Sequence, residues 1–407
     1  MTPFRRGWSA ARSAFTLCLL GTGLVAARAA AQDTPVASPA AGDPLPVDPR
    51  VTVGTLPNGI RYYVRANGRP EHRAELRLVV NAGSVLEDED QLGLAHFVEH
   101  MAFNGTAHFP KQALVAYLEG IGMRFGPEVN AYTSFDETVY MLTVPTDSAS
   151  LLETGFQVLQ DWAAHQLLDH GEIDLERGVV LEEWRLGRGA QARMQDRQLP
   201  VIVRGSRYAE RVPIGTSESL ETFTYEAVER FYRDWYRPDL MAVVAVGDFE
   251  PSVVERLVRE YFASIPAATA PRPRPTFDVP DHQETLFAIA TDPEATETQV
   301  SVYFKQPPRR HDTYGAFRQW FVEALYNQML NQRLFELTQT SDAPFLAAFS
   351  GQGSFVRSKE VYALGALVRE GAVMPGLEAV LTEAERVAQH GFTASELERT
   401  KREFLRG

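Results

Sequence analysis

Apolar and polar positions along this chain sort into strand-like and helix-like runs. "GIRYYVRAN" follows Pro57-Asn58-Gly59, a turn signal that suits a hairpin. "AELRLVVNAG" shows mixed alternation, and "VNAYTSFDETVYMLTVP" is rich in Thr, Tyr and Val, as strands are. Helical patterns cover "KQALVAYLEGIG", the stretch from Ala149 to about Leu186, and "YEAVERFYRDWY". "LMAVVAVGDF" reads as a buried strand, and "PSVVERLVREYFASI" as a helix with Pro251 at its start. Strands and helices mixed in this way predict an α+β domain, helices laid on a sheet.

The plan then recurs. "ETQVSVYFKQPP" stands where "AELRLVVNAGS" stood, and "FRQWFVEALYNQMLNQRLFEL" takes the place of the helix near residue 97. "AAFSGQGSFVRSKEVYALGALV" corresponds to the later strand region, and "HGFTASELERTKREFLRG" echoes "HGEIDLERGVVLEEWRLG". The second copy lacks a histidine pair on its helix, and Leu405 falls where Glu183 stood. It is expected to be non-catalytic, and to be cut short, because a helix, a strand and another helix have no counterpart in it. The predicted organisation is a signal peptide over 1–31, a flexible leader over 32–48 and a first domain over 49–266. A Pro-rich extended linker over 267–283 and a second domain over 284–407 follow.

The ends and the charge narrow the setting. Arg5, Arg6 and Arg12 precede an apolar run from Ala14 to Ala27, and Ala29–Ala31 offer a cleavage site before Gln32. The run is too short for a membrane span, so no stable membrane insertion is expected after signal removal. Cys18, the one cysteine, lies inside that signal. The mature chain would have neither thiol nor disulfide, which fits a bacterial periplasm. A net charge of −13 leaves no basic surplus to neutralise phosphates, so nucleic acid is not an expected partner.

Chemistry concentrates in "GLAHFVEHMAFNGT". On a helix His96 and His100 lie one above the other, Glu99 joins their side, and Leu94, Phe97, Val98 and Met101 form a second stripe. The stripes are offset by roughly 200°, so one can pack on a core while the other presents two imidazoles and a carboxylate. Neutral imidazoles suit zinc, which in catalytic sites takes a third protein ligand and keeps a place for water. Glu99 is placed to accept a proton from that water. His-x-x-Glu-His is the inverse of the commoner zinc helix. For the third ligand, "LERGVVLEEW" offers Glu176 and Glu183 on one helix face, with Glu182 turned roughly 100° away. Glu183 as ligand with Glu176 one layer out is one arrangement, and Glu176 as ligand is the fallback.

"HFVEHMAFNGT", "NAYTSFDETVYMLTVP", "ERGVVLEE" and "FYRDWYRPDLMAVVAVGDF" together resemble the pitrilysin/insulinase zinc peptidases, the inverzincins of peptidase family M16, in their branch of large bacterial periplasmic members. The resemblance runs from about residue 48 to the end. It implies tandem homologous domains, each a mainly antiparallel sheet covered by helices, the mitochondrial-processing-peptidase-like metallohydrolase fold. It further implies a zinc endopeptidase of peptides or unfolded polypeptides, with one Zn2+ on His96, His100 and Glu183, Glu99 as general base and Glu176 as a second acidic residue. The stretch Asn130, Ala131, Tyr132, Thr133 resembles a sheet edge to which substrate adds as a strand, and Phe103 is a wall near the metal or part of the core. Members of the branch are about twice as long, so a C-terminal half supplying substrate contacts is an expected partner. The rival reading is a non-catalytic scaffold or binding subunit of the same fold, whose mark is loss of the His-x-x-Glu-His residues; this chain keeps them.

Overall fold

The computed structural model describes residues 38–406 apart from 112 and 125. The expected signal peptide lies outside the described residues. The first strands are β1 (Val51–Thr55), β2 (Arg61–Ala66) and β3 (Arg73–Val80). The turn between β1 and β2 closes through Leu56 N to Ile60 O at 2.8 Å, with Gly59 at φ +103°, a conformation open to glycine. Then come α1 (Leu94–Met101), α2 (Ala113–Gly120), the hairpin β4 (Val129–Thr133) and β5 (Thr138–Pro145), α3 (Ala149–Ala164) and α4 (His170–Leu186). After α5 (Ala190–Ile202), α6 (Ser217–Thr222) and α7 (Tyr225–Trp235), β6 (Met241–Gly247) and α8 (Pro251–Phe262) complete this part.

Six strands form one sheet in the order β1-β2-β6-β3-β5-β4, antiparallel except where β6 runs parallel to β2. Its covered face carries Ala74, Leu76, Leu78 and Val80 of β3 opposite Val144, Leu142, Tyr140 and Thr138 of β5, all buried. Helix α3 lies on β3 and β5 and reaches α8, which covers β2. Burying one face while Arg73, Glu75 and Arg77 stay exposed is the outcome that period-two alternation dictates. β4 is left at the edge, beside α1.

The second sheet is smaller. β7 (Thr298–Gln306), α9 (Tyr314–Thr338), β8 (Ala347–Val356), β9 (Lys359–Val368), α10 (Val373–His390) and α11 (Ala394–Phe404) follow in the chain. The strand order β7-β9-β8 reproduces β3-β5-β4, and α9, α10 and α11 take the chain positions of α1, α3 and α4. The repeat read from the sequence is therefore present in the fold.

Two connecting segments are held in place. A flexible leader is expected over 32–48, yet within its described part Ala41 O and Asp43 O accept from Gly315 N and Tyr314 N at 2.8 and 3.1 Å. Those are first-turn donors of α9 with no partner inside the helix, a demand that leader composition does not reveal. The Pro-rich stretch contains no helix or strand, and Arg272 binds Asp88 (2.6 Å) while Arg274 Nε donates to Asn81 O (2.8 Å). At the β8–β9 turn Arg357 reaches Asn81 Oδ1 and Glu137 Oε2 at the end of the first sheet.

Candidate metal centre

Helix α1 presents its two faces as the spacing requires. Leu94, Phe97, Val98 and Met101 are buried in the core, with Phe97 edge-on to Phe223. The opposite face carries His96 and His100, their rings 4.6 Å apart. The helix is fixed where it begins. Gly93, at φ +88°, lies so close to Gly215 that an added Cβ would sit 3.1 Å from the Gly215 Cα. Buried Glu87 accepts from Gly93 N (3.1 Å) and Ala95 N (2.9 Å), and burial pushes its carboxyl up to about 8 despite those bonds and the nearby Arg211 and Arg207.

Helix α4 crosses this face and supplies carboxylates. Glu183 Oε2 is 3.3 Å from His100 Nε2, and its Oε1 is 3.7 Å from His96 Nε2. One ligand atom from each of His96, His100 and Glu183 lies within 4.8 Å of the others. Ligands at ~2.1 Å from a tetrahedral zinc stand about 3.4 Å apart, close to the two Glu183–imidazole distances, so the trio would draw together only where it is wider than that. Glu183 is half exposed, which leaves it room to make that adjustment. Glu182, on another face, pairs instead with Arg185.

Glu176 takes the outer place. Its Oε1 is 2.7 Å from His100 Nδ1, and its Oε2 accepts from Asn104 Nδ2 at 2.7 Å. With Nδ1 donating to Glu176, a neutral His100 points its Nε2 lone pair at the Glu183 carboxylate. Two acceptors facing each other at that range need a positive charge between them, either the second proton of a His100 imidazolium or a metal ion that displaces it.

The two imidazoles differ in their electrostatics, and a metal ion would have to displace a proton from His100. Burial, and then the neighbouring His100, lower His96 to about 4, leaving it neutral and ready to ligate. Burial works against the His100 imidazolium, but hydrogen bonds and charges from Glu176 and Glu183 outweigh it and raise its pKa to about 9. The His100 hydrogen bond holds Glu183 below the ordinary carboxylate range. Glu99 is raised by burial, with Thr133 opposing the rise, and lies close enough to His100 and Glu183 to feel their charge. Thr133 Oγ1 donates to Glu99 Oε2 at 2.6 Å.

β4 brings the expected substrate stretch to the same place. Ser134 N donates to Glu137 O and Thr143 N to Glu128 O, which fixes the pairs that exchange hydrogen bonds with β5. In that register Asn130 and Tyr132 are bonded to β5, while Ala131 and Thr133 turn their N–H and C=O to the free edge. Phe103, partly buried, packs against the core on Trp162 and Tyr140, at 5.4 and 6.5 Å between ring centres. His108 is bound to buried Asp161 at 2.7 Å, and His170 stacks on Tyr225, both away from the centre. Glu87 and Asn104 were not anticipated. The i, i+4 step from His100 to Asn104 was the available signal for the second, and the sequence offers none for the first.

Residues 62–197 match the insulinase family (peptidase family M16), and residues 222–404 match the peptidase M16 inactive domain. A "zinc protease PQQL-like" protein of Arabidopsis thaliana is 41% identical over 295 residues, covering 72% of this chain and 31% of its own length. The "probable zinc protease PqqL" of Escherichia coli is 31% identical over 360 residues, covering 88% of this chain and 38% of its own. The crystal structure of the first half of the periplasmic protease PqqL from Escherichia coli superposes with a TM-score of 0.77 at 29% identity, covering 89% of this chain and 78% of that one. The chain thus spans about a third of the length of the curated relatives it matches.

Proposed function

The chain belongs to the insulinase family, peptidase family M16, and from that membership we propose that it carries the zinc centre of a metalloendopeptidase cleaving peptides or unfolded polypeptides. The observation that carries this reading is the meeting of His96, His100 and Glu183 from two helices, next to a buried glutamate on the same helix. Zinc, when bound, supplies a Lewis acid that acidifies water and polarises a carbonyl. Glu99 takes the proton of the attacking water and returns it to the leaving amine. Its burial raises its proton affinity towards what that shuttle needs, and Thr133 fixes its orientation. Glu176 holds His100 in the tautomer whose Nε2 is the ligand atom. The substrate lies along the free edge of β4, bound by the outward N–H and C=O of Ala131 and Thr133. Main-chain recognition of this kind accepts many sequences, provided the peptide is extended.

The N-terminal sequence, read as a signal, and the periplasmic relative support export to the periplasm. No helix of the described residues is long and apolar enough to cross a membrane. The curated relatives are about three times as long as the span matched here, and a C-terminal half completing the substrate chamber is part of the proposal. Glu99→Gln tests the chemistry. Zinc content stays as in the wild type, while peptide cleavage falls about 10²–10⁴-fold. Cleavage at the wild-type rate would refute Glu99 as the base.

A further inference from the structure

The two imidazoles of the centre are held very differently. His96 Nδ1 is buried and has no hydrogen-bond partner among the described residues. His100 Nδ1, in contrast, is bound to Glu176, and Glu176 is bound to Asn104. The whole second layer of the site thus stands behind one ligand.

Glu176 would be loose without a second partner. It reaches His100 from α4 through two rotatable bonds beyond its Cβ, and its Oε2 has no other hydrogen bond among the described residues than the one from Asn104. Asn104 is itself fixed. Its backbone N donates to Met101 O at 3.0 Å, and its Nδ2 also lies 3.3 Å from His100 O, in the turn that ends α1. The next residues are bolted down: Gly105 O accepts from Leu167 N, and Thr106 Oγ1 donates to buried Asp161. The amide therefore stands on a rigid corner, one helical turn past His100. A side-chain amide also donates without adding charge, so it holds the carboxylate while leaving its negative charge available to His100.

We propose that Asn104 is a positioning residue of the metal centre, whose amide locks Glu176 against His100 and so directs His100 Nε2 at the ion. The proposal rests on the zinc reading above. It concerns a donor that the motif His-x-x-Glu-His and the acidic pair on α4 do not include.

Zinc affinity, measured by competition with a chromophoric chelator, tests it on four proteins: wild type, Asn104→Leu, Glu176→Ala and the double variant. Leucine keeps the shape of asparagine and removes the donor. Asn104→Leu should weaken zinc binding about 3–10-fold, and Glu176→Ala about 10–100-fold. Because Asn104 acts through Glu176, the double variant should bind zinc no more weakly than Glu176→Ala alone. Should Asn104→Leu fail to fold, Asn104→Ala carries the same comparison. Wild-type affinity in the single variant, or losses that simply add in the double variant, would overturn the role of Asn104 with the zinc reading intact. A folded wild type without affinity for zinc would overturn both.

Discussion

On the proposed reading, Thr133 would join two functions in one side chain and backbone. Its hydroxyl holds Glu99 Oε2 at 2.6 Å, while its peptide groups face the edge where a substrate strand would add. Hydrogen bonds to charged groups are worth about 1.5–3 kcal/mol, so Thr133→Val should lower kcat about 10–100-fold with zinc content unchanged. An unchanged kcat would show that Glu99 is held by other means. At this scale the sequence was informative where spacing on one helix decided the matter. His96, Glu99 and His100 needed only the helical repeat, whereas spacing left Glu176 and Glu183 as alternatives for the third ligand and only the family resemblance favoured Glu183. What spacing does not contain is which side chains answer one another across elements. Thr133 bound to Glu99, Glu87 at the start of α1 and Asn104 behind Glu176 are contacts set by tertiary packing, although each residue was in plain view in the chain.

Elements decide which backbone groups are free. Because β4 exchanges hydrogen bonds with β5 through Asn130 and Tyr132, a proline at 131 removes an outward N–H, which donates to Asn130 Oδ1 at 2.9 Å, and leaves the ladder intact. Ala131→Pro should weaken peptide binding about tenfold with a melting temperature near that of wild type. Tyr132→Pro removes a ladder bond and should cost about 1–3 kcal/mol of stability. Equal peptide affinity in Ala131→Pro and wild type would contradict strand addition at this edge. The strands and helices themselves were legible from alternation and periodicity, down to Pro251 as the first residue of α8. Helix α5 was not, because its residues bury no apolar stripe and leave periodicity little to report. The anchoring of the leader at Ala41 and Asp43 was hidden for a different reason, since its partners are the bare donors of a helix more than two hundred residues away.

For the whole molecule, the two sheets differ in what holds them. The first has an extensive core, whereas the second buries a small cluster around Leu330, Leu334, Phe345 and Val380. There Arg333 ties α9 to α11 through Glu396, at 2.6 and 3.0 Å, and to α10 through Glu383 at 3.2 Å. The Arg333 hydrogen bond lowers Glu396 to about 2, below the ordinary value of 4.5. The stabilisation is then fully present above pH 4.5 and is lost as the pH falls towards 2. Glu396→Gln should accordingly destabilise the protein at pH 7 by chemical denaturation, and the gap to wild type should close over that acid range. A gap independent of pH would remove the ion pair from the account. The repeated order of strands was visible in the sequence because each copy keeps its own alternation. The bridge from Arg357 to Asn81 and Glu137 was not, because a single arginine in a turn carries no periodicity. The central claim, a zinc ion on His96, His100 and Glu183, is tested most directly by elemental analysis of the mature chain beside Glu183→Gln prepared with it. The account predicts one zinc per wild-type chain and far less in Glu183→Gln; a folded wild type without zinc, or equal zinc in both, would contradict it.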